Sequence, residues 1–384
     1  MRFEFATAAR IIFGEGTLSE VGPAAAGMGK RALLITGASL ERAQPLLQAL
    51  EAEQVATAIF QVEGEPTTDL VYRGVEAARQ HASDLIIGLG GGSPLDTGKA
   101  VSALATNPGE ILDYLEVIGS GKAISETPLP YIAIPTTAGT GTEVTRNAVI
   151  GSPEHHVKVS LRSPLMLPSL ALVDPELTYE LPLNITASTG LDALTQLIEP
   201  FVSAKANPVS DAFAREGIRR AARALPVLHK EPGNRPARSD MALASLLGGL
   251  AMANASLGGV HGFAGPLGGM FPVPHGVVCA RLLPFVMETN LTALEERQPG
   301  SPVLGRYQEI ARLMTGDDAA RAVEGVRWVR NLVDMLDIPY LGEYGVSREH
   351  FPELVEKSAR ASSMKGNPIP LTEEEITGIL ARAL

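Results

Sequence analysis

With 384 residues and 45% hydrophobic content, the chain is long enough for two domains that each bury a core. Its 43 acidic against 32 basic residues give a net charge of −11, which opposes attraction to phosphate backbones and anionic lipid and speaks against nucleic acid or membrane as partners. The lone cysteine, Cys279, cannot form an intramolecular disulfide and fits a reducing, cytoplasmic compartment.

The opening stretch, MRFEFATAARIIFGEG, scatters its charges and holds no apolar run long enough for a signal peptide, so it reads as mature protein. Strands are expected at 31–37 (RALLITG), 55–62 (VATAIFQV), 84–90 (DLIIGLG) and 131–136 (YIAIPT), with further ones near 144–150 and 170–174. Between them, SLERAQPLLQALEAE and TTDLVYRGVEAARQH place apolar residues at steps of three and four, as amphipathic helices do. Alternation of this kind predicts a parallel sheet with crossover helices. After VDPELTYELPLN the β-branched runs give way to Ala- and Leu-rich segments, which sets an expected boundary of 1–180 for an α/β domain and 181–384 for an all-helical one.

The run DLIIGLGGGSPLDTGKA passes from a buried strand through four glycines into a helix. Glycine backbone and the amides of a helix N-terminus suit a pyrophosphate, so Gly90, Gly91, Gly92 and Ser93 are candidate phosphate contacts. The pattern is neither the ordinary dinucleotide fingerprint, since Ser93 replaces its last glycine, nor a P-loop. A second small-residue loop, IPTTAGTGTEVT, offers the hydroxyls of Thr136, Thr137 and Thr140 at the end of the next strand.

From Met241 to Ala280 there is no charged residue, yet this run is mostly Ala, Gly and Ser, which suits close helix packing in a protein interior better than a membrane span. Around it stand the metal-ligand types. Asp192 and Gln196 lie four apart in TGLDALTQLIEP, and His261 and His275 follow. One Asp and two His with an open position make a sound catalytic zinc site, whereas the neutral amide of Gln196 is a poor ligand for zinc or ferrous iron. His81, His155, His156, His229 and His350 share no ligand spacing and read as structural.

The ordered motifs GGGSPLDTGKA, PTTAGTGTEVT, VDPELT, TGLDALTQLIE and PLGG…PHG resemble the iron-containing, group III alcohol dehydrogenases along essentially the whole chain. That resemblance implies a dehydroquinate synthase-like fold, NAD or NADP, a divalent metal (iron or zinc), and hydride transfer between a small alcohol and an aldehyde or ketone. It also implies a homodimer. In such enzymes an Asp and a His at i and i+4 and two later His hold the metal; here these positions are Asp192, Gln196, His261 and His275. A further His, near the nicotinamide in the family, is Gly265 in this chain. The resemblance places Asp96 at the nicotinamide end of the cofactor and makes Lys158 a candidate cofactor contact. Gly37 stands where NAD-preferring relatives carry Asp, and with Ser39 and Arg42 nearby NADP is open. Two rival readings are a maleylacetate reductase-like enzyme and a cofactor-binding homologue with impaired catalysis, the latter suggested by Gln196 and Gly265.

Overall fold

The computed structural model describes residues 2–155 and 157–384; His156 lies outside the described residues. The chain forms two compact units, Ala6–Tyr179 and Glu180–Leu384, the second joined by the N-terminal residues up to Phe5. Phe5 stacks on Phe213 of that second unit, with ring centroids 5.8 Å apart.

In the α/β unit, the strands are β1 (Ile11–Phe13), β2 (Arg31–Thr36), β3 (Ala56–Gln61), β4 (Leu85–Gly90), β5 (Tyr131–Pro135), β6 (Asn147–Ser152), β7 (Val157–Arg162) and β8 (Leu170–Val173). The helices are α1 (Val21–Ala26), α2 (Gln44–Ala52), α3 (Thr68–Gln80), α4 (Gly92–Thr106) and α5 (Ile111–Tyr114). Six strands make one parallel sheet in the order β1-β8-β5-β4-β2-β3, while β6 and β7 form an antiparallel hairpin.

Side-chain alternation explains the layering. Leu33, Ile35 and Ile86 point to the face covered by α3, α4 and the hairpin, and Ala32, Leu34 and Ile87 to the face covered by α1 and α2. Full burial of each Leu or Ile contributes roughly 1.5–3 kcal/mol. After β2 the chain enters α2 on one face, and after β4 it enters α4 on the other. Strand order thus reverses between these two neighbours, and the crevice at their carboxyl ends is the place where such sheets bind ligands.

Two strands lie outside the sequence expectation. β1 has only three residues, too few for a periodic signal, and is held at the sheet edge by pairing Ile11–Phe13 with Ala171–Val173. β7 does carry a signal, because Val157, Val159 and Leu161 alternate with polar residues. The glycine loop therefore follows the fourth strand and not the third.

The helical unit holds α6 (Leu183–Val202), α7 (Pro208–Lys230), α8 (Arg235–Ala255), α9 (Gly259–Met270), α10 (His275–Arg297), α11 (Pro302–Thr315), α12 (Ala322–Met335), α13 (Phe351–Arg360) and α14 (Glu373–Ala383). Every residue of α6 from Gly190 to Val202 is buried. Small residues let its neighbours come close: Gly248 of α8 lies against Ala193 and Gln196, and Gly276 of α10 against the backbone of Ser188. The uncharged run of residues 241–280 spans parts of α8, α9 and α10, with a 98° bend between α8 and α9. Among the described residues α10 is long and apolar enough by itself to cross a bilayer, and α8 with α9 passes the same test as a bent pair, but 78% of the apolar window of α10 is buried within the protein.

Candidate functional site

The α/β unit brings the two small-residue loops together. β4 and β5 are adjacent in the sheet, and the Thr136 amide donates to the Gly90 carbonyl at 2.9 Å. Gly91 caps α4 and Gly92 begins it. A Cβ on Gly92 would meet Thr140 at 3.0 Å, tighter than side chains ordinarily pack, whereas one on Gly91 would touch Thr137 at an ordinary 3.4 Å, so it is at Gly92 that bare backbone suits the space between the loops. Gly90, with φ of +153°, adopts a conformation that favours glycine. The Thr137 hydroxyl is buried with no hydrogen-bond partner. Ser93 stands in the first turn of the helix, and Gly37 follows β2 with open space around its Cα. Ser39 is exposed just beyond.

Asp96 and Lys99 have internal duties. Asp96 accepts from the Thr142 hydroxyl at 2.5 Å and from the Val149 amide at 2.9 Å, so both carboxylate oxygens are engaged within the unit. Lys99 is fully buried and donates to Thr142 O and Oγ1, Thr145 Oγ1 and Asn147 O at 2.8–2.9 Å, which fastens the threonine loop to α4. Burial pulls its pKa down to about 8 against the opposing attraction of Asp96 and Glu143. Glu143 is buried with one unpartnered oxygen, and desolvation raises its pKa to about 7 despite a backbone hydrogen bond and the nearby Lys99. Lys158, on the hairpin, is paired with Glu65 at 2.5 Å.

The helical unit gathers Asp192 from α6, His261 from α9, and His275 and Cys279 from α10, with one donor atom of each within 4.8 Å of the others. Asp192 Oδ1 lies 3.5 Å from His261 Nε2 and 3.8 Å from His275 Nε2. Cys279 Sγ lies 3.7 Å and 3.6 Å from the same two nitrogens. Asp192 is the tenth residue of α6, whose N-cap is Pro182, so a capping role for its carboxylate is ruled out. Gln196 follows one turn later, and Oδ1 of Asp192 and Oε1 of Gln196 are both buried without a hydrogen-bond partner. In a metal-free site such atoms are expensive, and a cation would satisfy them.

A third polar residue of α6, Glu199, supports the cluster and escapes the sequence reading. Its carboxylate accepts from His261 Nδ1 at 2.7 Å and from the Val260 amide at 2.6 Å. With the Glu199 carboxylate accepting at Nδ1, the imidazole is oriented so that Nε2, the atom a cation would take in place of its proton, faces Asp192 and Cys279. Asn367, itself paired with Asn290, accepts from the Gly259 amide at 3.0 Å. Glu199 and Asn367 together take over the capping that α9 lacks, since its N-cap is Gly258. The signal for Glu199 was present, as positions 192, 196 and 199 recur on one helical face.

Electrostatics here favour added positive charge. Burial works to raise the Asp192 pKa, but His275 and His261 outweigh it and hold the carboxyl below its usual value. His261 loses hydration on burial, yet the charges of Cys279 and Glu199, with Asp192 beside them, carry it well above the ordinary imidazole range. His275 is raised to about 9, chiefly by Cys279 and, against burial, by Asp192. Gly265, one turn after His261, presents no side chain, and a Cβ there would meet nothing within 4 Å. The remaining described histidines stand elsewhere: His155 bonds Ser152, His350 caps at Ser347, His81 lies near Ala56 O, and His229 ends α7.

Comparison with known proteins identifies the family. Residues 8–175 match the model for iron-containing alcohol dehydrogenase, and residues 186–384 that for the C-terminal part of the Fe-containing alcohol dehydrogenase family. Alcohol dehydrogenase 4 of Saccharomyces cerevisiae is 36% identical over 377 residues, covering 97% of this chain and 96% of its own. A 1,3-propanediol dehydrogenase of Klebsiella pneumoniae is 37% identical over 380 residues, with the same coverage. The crystal structure of a 1,3-propanediol oxidoreductase superposes with a TM-score of 0.92 at 35% identity, covering 100% of both chains. The family uses NAD(P) with iron or another divalent metal. Both halves of the molecule thus lead to one conclusion, that the chain belongs to the iron-containing alcohol dehydrogenase family and is an oxidoreductase acting between alcohol and aldehyde.

Proposed function

We propose that this chain interconverts an alcohol and its aldehyde or ketone by hydride transfer with NAD(P), using a divalent metal held by Asp192, His261 and His275, with Gln196 as a weak added donor. The observation that carries this reading is the Asp192 carboxylate, 2% exposed, its Oδ1 unpartnered and beside two imidazole nitrogens. When bound, the metal supplies Lewis acidity toward a carbonyl or alcohol oxygen and the nicotinamide accepts or gives the hydride.

The chain's own residues do the rest. Glu199 orients His261, and the close approach of Gly276 to α6 brings His275 to the same carboxylate. The amides at Gly91, Gly92 and Ser93 serve the pyrophosphate, with the unpartnered Thr137 hydroxyl and Thr140 beside them. Lys99 and Asp96 hold these loops in place and are positioning residues. Gly37 offers no carboxylate to repel a 2′-phosphate, so NADP is accepted as well as NAD. Because Gly265 carries no imidazole, protons exchange with water at this position and the substrate pocket gains room.

The test is metal content per chain in protein purified without chelator or metal-affinity resin, paired with NAD(P)H-linked turnover of an aldehyde panel. Expected are close to one equivalent of metal, loss of turnover on chelation, and loss of both in Asp192→Ala. Turnover that persists without metal would overturn the metal assignment, and tight NAD(P) binding with no turnover would support the impaired homologue instead.

A further inference from the structure

We propose that Cys279 is the fourth protein ligand of the centre, a thiolate standing in for the imidazole that position 196 lacks, and that the resident metal is zinc. The inference rests on the metal-centre reading above and concerns which atoms complete it, a substrate oxygen then being taken up as a fifth ligand, an expansion open to catalytic zinc. Zinc bonds of about 2.0–2.3 Å to nitrogen, oxygen and sulfur imply tetrahedral edges of about 3.3–3.6 Å between donors. Four of the six edges are 3.5, 3.8, 3.7 and 3.6 Å, two of them made by Cys279 Sγ, and all six lie within 4.8 Å. Sulfur thus stands at a ligand-to-ligand distance from both imidazole nitrogens.

Chain pattern points the same way. Asp192 and Gln196 are spaced i, i+4 on α6; His275 and Cys279 repeat that spacing on α10. The first helix offers Asp192 with only a weak donor one turn on, and the second offers His275 with a strong one, at the same centre. Gln196, a neutral amide with its oxygen unpartnered, is left as a weak outer donor. Thiolate is soft and selects zinc over the harder divalent cations. On binding, the Cys279 thiol releases its proton to solvent and the sulfur electron pair goes to the cation, with no change of oxidation state.

X-ray absorption at the zinc edge of the reconstituted enzyme tests this directly. The expected spectrum has one sulfur at about 2.3 Å beside nitrogen and oxygen at about 2.0–2.1 Å, and Cys279→Ala loses the sulfur shell. Zinc affinity of Cys279→Ala, read by competition with a chromophoric chelator, should fall by more than the roughly 10–100-fold cost of losing an outer-shell partner. The double variant Cys279→Ala with Gln196→His should regain metal with a shell of nitrogen and oxygen only, and circular dichroism of the single variant checks that it is folded. A wild-type spectrum with zinc bound but no sulfur would overturn the Cys279 assignment and leave the three-ligand centre standing. Failure of the wild type to bind any zinc, iron or cobalt would overturn both.

Discussion

Asp192, Gln196 and Glu199 occupy steps of four and three along a helix that is otherwise apolar and buried, and each pays for its place differently. Asp192 faces two imidazoles, Gln196 has a vacant oxygen, and Glu199 accepts from both His261 and a backbone amide. Glu199 thereby fixes which nitrogen of His261 faces the centre. In Glu199→Gln one oxygen becomes an NH2 donor, which must then confront either the Val260 amide or the His261 Nδ1 proton. Relief by moving that proton to Nε2 would block the nitrogen that faces the metal. The expected result is a folded protein whose metal affinity falls roughly 10–100-fold, read by chelator competition. An affinity unchanged within twofold would show that Glu199 merely caps α9.

Elements set the precision with which these residues meet. The first turn of α10 lies so close to α6 that a Cβ on Gly276 would stand 2.7 Å from the Ser188 carbonyl oxygen and 2.9 Å from its carbon, both rigid backbone atoms. Gly276→Ala should therefore push α10 outward, cost about 1–3 kcal/mol in denaturant unfolding, and lower metal occupancy because His275 and Cys279 ride on the displaced helix. Undiminished occupancy would mean that the approach at Gly276 is unrelated to the centre. How much of this was legible follows from range. The alternation in β2 to β5 and the three- and four-residue steps in α2 and α3 are local, and they gave the α/β architecture. Asp192, His261 and His275 could be read together only through the order of motifs, since no local spacing links three helices. Cys279 read merely as a sign of a reducing compartment, although its step of four from His275 was in view. The engagement of Asp96 by Thr142 and of Lys99 by Thr145 and Asn147 depends on a loop more than forty residues away in sequence, beyond what periodicity reports.

At the scale of the whole molecule, the donors divide cleanly between the two compact units. All five candidate metal donors, Gln196 included, come from residues 192–279, and all candidate phosphate and ribose contacts from residues 37–140. Ligands that bind the native state alone protect the segments they hold, with a stabilisation of about 2.7 kcal/mol at a concentration of 100 times Kd. Hydrogen–deuterium exchange on metal-free protein separates the two contributions. Added zinc is expected to slow exchange in peptides from α6, α9 and the first turns of α10, where Asp192, Glu199, His261, His275 and Cys279 reside. NADP alone is expected to slow exchange in the segments after β2, β4 and β5, including the amides of Gly91 to Ser93. Protection of α6 and α9 by NADP in the absence of metal, with none at the glycine loop, would place the cofactor on the wrong set of amides and refute the assignment. Protection that follows each ligand to its own segments would tie the cofactor to the reversal point of the sheet and the metal to the buried polar face of α6.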